Sequence, residues 1–273
     1  MPRSRRHSLQ PPRPSTLMLE VCHLDKRFGG LHAVDDVSFT LERGKLTSLM
    51  GANGAGKTTL FNLMTGYEQA SAGDILLEGQ AIGGLPAYRI ARLGVGRSFQ
   101  ENRLFEKMSV LDNVQLAFQD QAGERLLRLF ARPRLVGREA RRNRTEALDI
   151  LNFVGLGAKV DVPAADLSYG QQKLLAIARI LAMKPKLMLL DEPTAGVHPR
   201  MIDSLLRLIR QMVERGITLC LIEHNWDVVR RLSDQLIVLD SGRIVASGEV
   251  DEVAADPMLA KLYLGVEDER TAV

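Results

Sequence analysis

Apolar and polar positions along the chain follow two rhythms. Short apolar or alternating runs read as strands: LMLEVCHL (17–24), HAVDDVSFTLE (32–42), KLTSLM (45–50), DILLEG (74–79) and VGRSFQ (95–100). Among them, GKTTLFNLMTG (56–66) has helical spacing and ends on Gly66, and Pro86 stands where a helix running to Leu93 can begin. From about residue 108 to 183 the pattern is almost wholly helical, through SVLDNVQLAFQ, the Arg-rich stretch 124–147 and EALDILNFVGL. Strand and helix then alternate again: KLMLL (186–190), a helix over 200–215, ITLCLI (217–222), a helix over 225–232, QLIVLD (235–240) and RIVASGE (243–249). This order predicts a parallel α/β core interrupted by a helical insertion, with an antiparallel β-rich edge built from roughly the first 45 residues. No internal repeat is present.

Composition narrows the class. With 273 residues, 45% hydrophobic and 25% charged, the chain suits one large domain or a core with a subdomain, and it can bury a substantial core without disulfides or metals. Its two cysteines, Cys22 and Cys220, lie in apolar strand-like runs and read as buried reduced thiols. The net charge of +3 is unevenly placed. Residues 1–16 carry Arg3, Arg5, Arg6 and Arg13 and no acid; without those four, 32 basic residues face 33 acidic ones. A body so close to neutral lacks the basic balance of many nucleic-acid binders, and no nucleic-acid partner is expected. The Pro- and Arg-rich stretch 1–16 reads as a disordered basic tail without the apolar middle of a signal peptide. No apolar run reaches the roughly 18 residues of a membrane span, so membrane work would need partner subunits. Eight arginines between 125 and 144 suit either a solvated helix face or contact with headgroups or a partner, and the solvated face is the plainer reading.

Three stretches carry chemistry. Gly51-Ala-Asn-Gly-Ala-Gly56-Lys57-Thr58 matches the phosphate-binding pattern G-x-x-x-x-G-K-[ST], with a strand before it and a helix after it. Its glycines let successive backbone N–H groups turn inward around phosphate, and the helix offers its positive end to the same anion. Gly51, Asn53, Gly54, Gly56, Lys57, Thr58 and Thr59 are its nucleotide-binding candidates, with Lys57 reaching the β- and γ-phosphates and the Thr58 hydroxyl on Mg²⁺. In Leu187-Met-Leu-Leu-Asp191-Glu192 an apolar strand delivers carboxylates to the C-terminal edge of the sheet, where α/β folds bind ligands. Asp191 suits Mg²⁺, and Glu192 suits acceptance of a proton from attacking water. Leu167-Ser168-Tyr169-Gly170-Gln171-Gln172 opens a helix over 171–183, with Ser168 as its N-cap. Alone, that stretch is no more than a well-capped helix; its free N–H groups also suit a phosphate.

The order of these parts resembles the ATPase subunits of ABC transporters, over residues 17–265. The resemblance implies a P-loop NTPase (RecA-like) α/β core over 17–100 and 166–248, an α-helical subdomain over 101–165, and a C-terminal helical segment and tail over 249–273. It implies ATP and Mg²⁺ as ligands. Gln100 in RSFQENRLF is similar to the family's glutamine that links γ-phosphate and metal to the permease, and His224 in LIEHNWD to the histidine that contacts the γ-phosphate. Phe28 in KRFGGLHAV stands where the family places an aromatic on adenine; the plain alternative is a core aromatic. Two such domains pack head to tail in the family, so Ser168, Gly170 and Gln171 would meet ATP held by the other domain. The implied partners are a second ATPase subunit, a related paralogue or a second copy; two transmembrane permease subunits; and, indirectly, an extracytoplasmic solute-binding protein. The implied location is the cytoplasmic face of the inner membrane.

A narrower resemblance runs through FGGLHAVDDVSF, GRSFQENRLF, LSYGQQKLLAIAR, EPTAGVHP and LYLG. These resemble the first of the two ATPase subunits in the branched-chain amino-acid uptake group, which imports leucine, isoleucine and valine or related solutes such as urea and amides. EPTAGVHP also resembles ATPases that export lipopolysaccharide or other lipids. A soluble ABC protein acting on ribosomes or DNA would usually carry two ATPase domains or a long coiled coil, absent here. A scaffold subunit would not need Lys57, Asp191, Glu192 and His224 together. One departure stands out: His198 occupies a position where the family often has Asp and this group often Asn, a residue that helps join the two domains.

Overall fold

A computed structural model describes residues 16–99, 104–119, 121 and 133–256. Among the described residues, ten strands form two sheets. The first is antiparallel and contains β1 (Leu17–Phe28), β2 (Leu31–Glu42), β4 (Ala72–Leu77) and β5 (Gln80–Ala81) in the order β2-β1-β4-β5. The second has the order β10-β9-β3-β8-β7-β6, from β3 (Leu46–Met50), β6 (Val95–Arg97), β7 (Leu187–Asp191), β8 (Thr218–Ile222), β9 (Gln235–Asp240) and β10 (Arg243–Glu249). Its strands are parallel except β10, which pairs antiparallel with β9.

The central strands explain why the core has two sides. Every residue of β3, β7 and β8 is buried, as a parallel sheet covered on both faces requires. Side chains alternate by face. Leu187, Leu189, Cys220 and Ile222 join a cluster with the first sheet and with Leu60, Phe61 and Met64 of α1 (Lys57–Met64). Met188, Leu190, Leu219 and Leu221 join the opposite cluster, with α3 (Val110–Gln115), α4 (Pro133–Phe153), α5 (Tyr169–Ala182), α6 (Pro199–Glu214) and α7 (Trp226–Leu232). The helix after the phosphate-binding stretch is thus held between the two sheets. Two shorter helices are α2 (Ala87–Arg92) and α8 (Val250–Ala254).

The expected antiparallel edge is present and is larger than the sequence pattern suggested, since β4 and β5 add to it. β1 runs on to Phe28 rather than ending near residue 24, because its paired partner β2 carries it through the polar DKR stretch. The strand at 95 ends at Arg97: the Ser98 hydroxyl accepts the Asp191 N–H at 3.0 Å in place of a backbone carbonyl. The helix expected over 171–183 begins at Tyr169, because Ser168 and Gln171 form a capping box. Between α4 and α5 the chain makes two short 3₁₀ turns, at Gly157–Lys159 and Ala164–Asp166, where the pattern suggested near-continuous helix. Glycines at 155 and 157 and Pro163 break it. No helix among the described residues is long and apolar enough to cross a membrane. Arg134, Arg138, Arg141, Arg142 and Arg144 of α4 are exposed, while the remaining arginines of the 125–144 run lie outside the described residues, as do residues 1–15 of the tail expected over 1–16.

Candidate functional site

The site is built where β3, β7 and β8 end. β3 runs into the 51–56 loop, where Gly51 and Gly56 are forced by contact as well as conformation. Gly51 has φ 150°, and a Cβ there would lie 2.1 Å from the Leu239 carbonyl oxygen; Gly56 has φ 102°, and its Cβ would lie 2.4 Å from that of Ala33. Gly56 caps α1, whose first turn contains no acidic residue, so the positive end of the helix stays unneutralised by its own side chains. Lys57 is buried, and its Nζ donates to the carbonyls of Gly51 at 2.8 Å and Ala52 at 2.9 Å. Burial pushes the Lys57 pKa below the usual lysine range, while the charges of Glu192 and Asp191 act in the opposite direction.

β7 places Asp191 as its last residue, buried. Burial raises the Asp191 pKa above the usual carboxylate range; Arg97, with Nη2 at 3.7 Å, pulls it back, and the neighbouring Glu192 adds to the rise. Glu192 follows with φ 47°, a left-handed conformation uncommon outside glycine. Its N–H donates to the Ile222 carbonyl at 2.9 Å, so β8 holds the residue even past the strand end. β8 in turn delivers His224, whose Nε2 lies 2.9 Å from Glu192 Oε1.

These elements enclose a cleft of about 690 Å³. Of the residues singled out in the sequence, it brings together Phe28, Asn53, Gly54, Gly56, Lys57, Thr58, Thr59, Asp191, Glu192 and His224. Its size matches a small-molecule site. Phe28 stands at one end, 43% exposed, with Lys26 Nζ 4.6 Å from the ring centroid; that exposure speaks against a core aromatic. Thr58 and Asp191 supply oxygen donors to the same cleft, the ligand chemistry that suits Mg²⁺.

Ser168, Gly170 and Gln171 do not line this cleft. The Ser168 hydroxyl accepts the Gln171 N–H at 3.4 Å, and the Gln171 carboxamide oxygen accepts the Ser168 N–H at 3.1 Å. Gln100 lies outside the described residues. His198 is the N-cap of α6: its Nδ1 accepts the Arg200 N–H at 3.3 Å, and Pro199 follows at the first helical position.

Several residues bearing on the site escaped sequence reasoning. Arg97 is buried beside Asp191. Lys173 on α5 donates from Nζ to the carbonyls of Glu192 at 2.7 Å and Pro193 at 3.1 Å. Glu223, buried, accepts both the N–H and the hydroxyl of Thr194. The available signal was a charged residue inside or abutting an otherwise apolar run, as in the LGVGRSF and TLCLIEH stretches, where burial of the charge demands a partner.

The ABC transporter family model matches residues 34–195. The chain belongs to the ABC transporter family. It is 39% identical over 254 residues, 91% of this chain and 98% of the other, to the high-affinity branched-chain amino acid transport ATP-binding protein BraF of Pseudomonas aeruginosa. The same identity and coverage relate it to LivG of Escherichia coli K12, a protein of the same description. A probable branched-chain amino acid transport ATP-binding protein of Archaeoglobus fulgidus is 34% identical over 92% of this chain and 96% of its own length. Among solved structures, a nucleotide-free ATP-binding cassette of an ABC transporter superposes with a TM-score of 0.78 at 32% identity, covering 92% of this chain and all of that one. An ABC cassette in its ADP conformation gives 0.76 at 32% identity, covering 92% and 99%. The P-loop α/β fold with its antiparallel edge is that of these cassettes.

Proposed function

We propose that this ABC protein is the ATP-hydrolysing subunit of an importer, powering uptake of branched-chain amino acids or a related small solute such as urea or an amide through partner permeases. The observation that carries the hydrolytic reading is the Glu192–His224 contact at the edge of the Lys57 cleft. A carboxylate aimed beside the phosphate-binding loop, oriented by an imidazole, is suited to accept a proton from a water attacking the γ-phosphate. Lys57 and the amides of the 51–56 loop hold the phosphates, and phosphoryl transfer then rests on position and charge neutralisation. Bound Mg²⁺ would neutralise phosphate charge, held by Thr58 and Asp191 with Gln100 as a further ligand. Phe28 offers its ring to adenine.

The names of the relatives favour uptake over the lipid-exporting alternative, and specifically branched-chain amino-acid uptake. On this reading the chain sits on the cytoplasmic face of the membrane, against two permease subunits and a second ATPase subunit. That subunit is a paralogue or another copy, and Ser168, Gly170 and Gln171 meet the ATP it holds. The helical segment over 101–165 would carry closure of the pair to the permeases. The test is ATP turnover by the purified chain, alone and with co-purified permeases, against Lys57→Ala. Turnover lost in Lys57→Ala is expected; turnover unchanged removes Lys57 from the mechanism. Stimulation by external binding protein loaded with leucine, rather than by lipid, separates importer from exporter.

A further inference from the structure

Within the Glu192–His224 pair, Glu192 sits in a backbone conformation that sterics do not favour. Glu192 has φ 47°, and both residues lie beyond the ends of their strands, where the bond from the Glu192 N–H to the Ile222 carbonyl carries the β7–β8 pairing one residue further. Buried polar groups nearby add to that hold. Lys173 is 8% exposed, with its Nζ 2.7 Å from the Glu192 carbonyl oxygen and 3.1 Å from that of Pro193. Glu223 is 3% exposed; its Oε1 accepts the Thr194 N–H at 3.0 Å and the Thr194 hydroxyl at 2.8 Å. The Glu223 N–H donates to the Leu49 carbonyl at 3.3 Å. Three consecutive residues, 192 to 194, are therefore clamped from two directions, and one of the clamping residues, Glu223, directly precedes His224 in the chain.

Burying two charges costs free energy unless they are hydrogen-bonded and electrically offset. Lys173 feels the charges of Glu223, Glu192 and Asp191 together. Its position adds a second relationship. Lys173 lies on α5, five residues after Ser168 and three after Gly170, near the end of the helix that would meet the other subunit's ATP.

We propose that Lys173 and Glu223 are positioning residues for hydrolysis, which hold Glu192 and His224 in register and tie their loop to the helix bearing Ser168 and Gly170. This rests on the ATPase reading above. Contact made in trans at the start of α5 reaches the chain's own Glu192 through one side chain, so the two ATP sites of a pair are mechanically linked. Neither residue lines the nucleotide cleft, so nucleotide affinity should be spared when they are altered.

The test uses full-length protein and steady-state ATP turnover, with binding of a fluorescent ATP analogue measured in parallel. Lys173→Met keeps the aliphatic stem and removes the ammonium; Lys173→Arg restores a cation; Glu223→Gln is isosteric. Expected is a fall in kcat of between about ten- and a hundredfold in Lys173→Met, with KM and analogue affinity within about twofold of the parent, and recovery of most of the loss in Lys173→Arg. Glu223→Gln should lower kcat in the same pattern, and it carries the test if Lys173→Met does not fold. Parental kcat in these variants, a loss that falls on KM and affinity instead, or failure of arginine to rescue would overturn the proposal. Glu192→Gln distinguishes the two levels. Parental turnover there overturns the role of Glu192 itself, whereas loss there with full turnover in Lys173→Met and Glu223→Gln overturns only the positioning role.

Discussion

Nε2 of His224 lies 2.9 Å from Oε1 of Glu192, joining residues 32 positions apart that follow the adjacent parallel strands β7 and β8. The strand pairing sets this distance: Asp191 is in register with Ile222, so the next residues of each chain emerge at the same edge of the sheet. Glu192→Gln keeps the shape and an acceptor oxygen but cannot accept a proton. It should bind ATP with parental affinity, accumulate a closed ATP-bound dimer, and lose about a hundredfold or more in turnover. Size-exclusion chromatography with ATP and a phosphate-release assay check both halves, and normal turnover would mean that another group serves as base.

His198 caps α6 through Nδ1, a role that aspartate fills at least as well, since its oxygens accept the same N–H groups and its charge favours a helix start. His198→Asp should retain or raise ATPase activity and thermal stability. His198→Ala should lose about 1 kcal/mol of stability. A collapse of activity in His198→Asp, with the fold intact, would assign His198 a specific role at the subunit junction.

Gly56→Ala places a methyl group against the Ala33 carbonyl oxygen in a backbone conformation hostile to side chains. It should lower stability by on the order of 1–3 kcal/mol and abolish nucleotide binding, read by thermal melting with and without ATP. Undiminished binding would show that the loop can rebuild itself around a Cβ.

Burial raises the Glu223 pKa in the folded chain above its ordinary value, offset in part by its hydrogen bonds from Thr194 and His224 and by the charge of Lys173. A carboxyl group raised in this way contributes most to stability below its unfolded pKa of about 4.3, and that contribution is lost as pH rises through the folded value. Glutamine does not titrate. The melting temperature of Glu223→Gln minus that of the parent should therefore increase from about pH 4 upward and level off once Glu223 is ionised in both states. A difference that is flat or falls with pH would contradict the burial cost.

The two thiols offer a simple check on the core. Cys220 is fully enclosed on β8, and burial drives its pKa upward, whereas Cys22 on β1 is half-buried. A thiol reagent should modify at most Cys22 in the native chain and both cysteines after denaturation. Rapid native labelling of Cys220 would show that the sheet opens readily.

Much of the site was legible because its chemistry is local. The 51–58 loop needs glycine at particular backbone angles and a lysine one position later, and Asp191 and Glu192 follow directly on an apolar strand; such requirements leave a trace in consecutive residues. The alternation of strand and helix was legible for the same reason, since burial of a face imposes a period on the chain. Element ends were less so. The extension of β1 to Phe28 depends on pairing with β2, and the end of β6 on a hydroxyl 93 residues from the N–H it accepts.

By itself, the sequence determined which groups this protein has for chemistry and in what order the strands and helices come, because both follow from neighbours along the chain. Only the tertiary structure decided that Phe28 shares a cleft with His224, that His198 caps a helix, and that Lys173 and Glu223 grip the loop of Glu192. Those relationships depend on strand order and register in a sheet that pairs β3 with β8 and β9. Residues distant in sequence meet there because both faces of the sheet must be buried, a constraint on the folded chain as a whole.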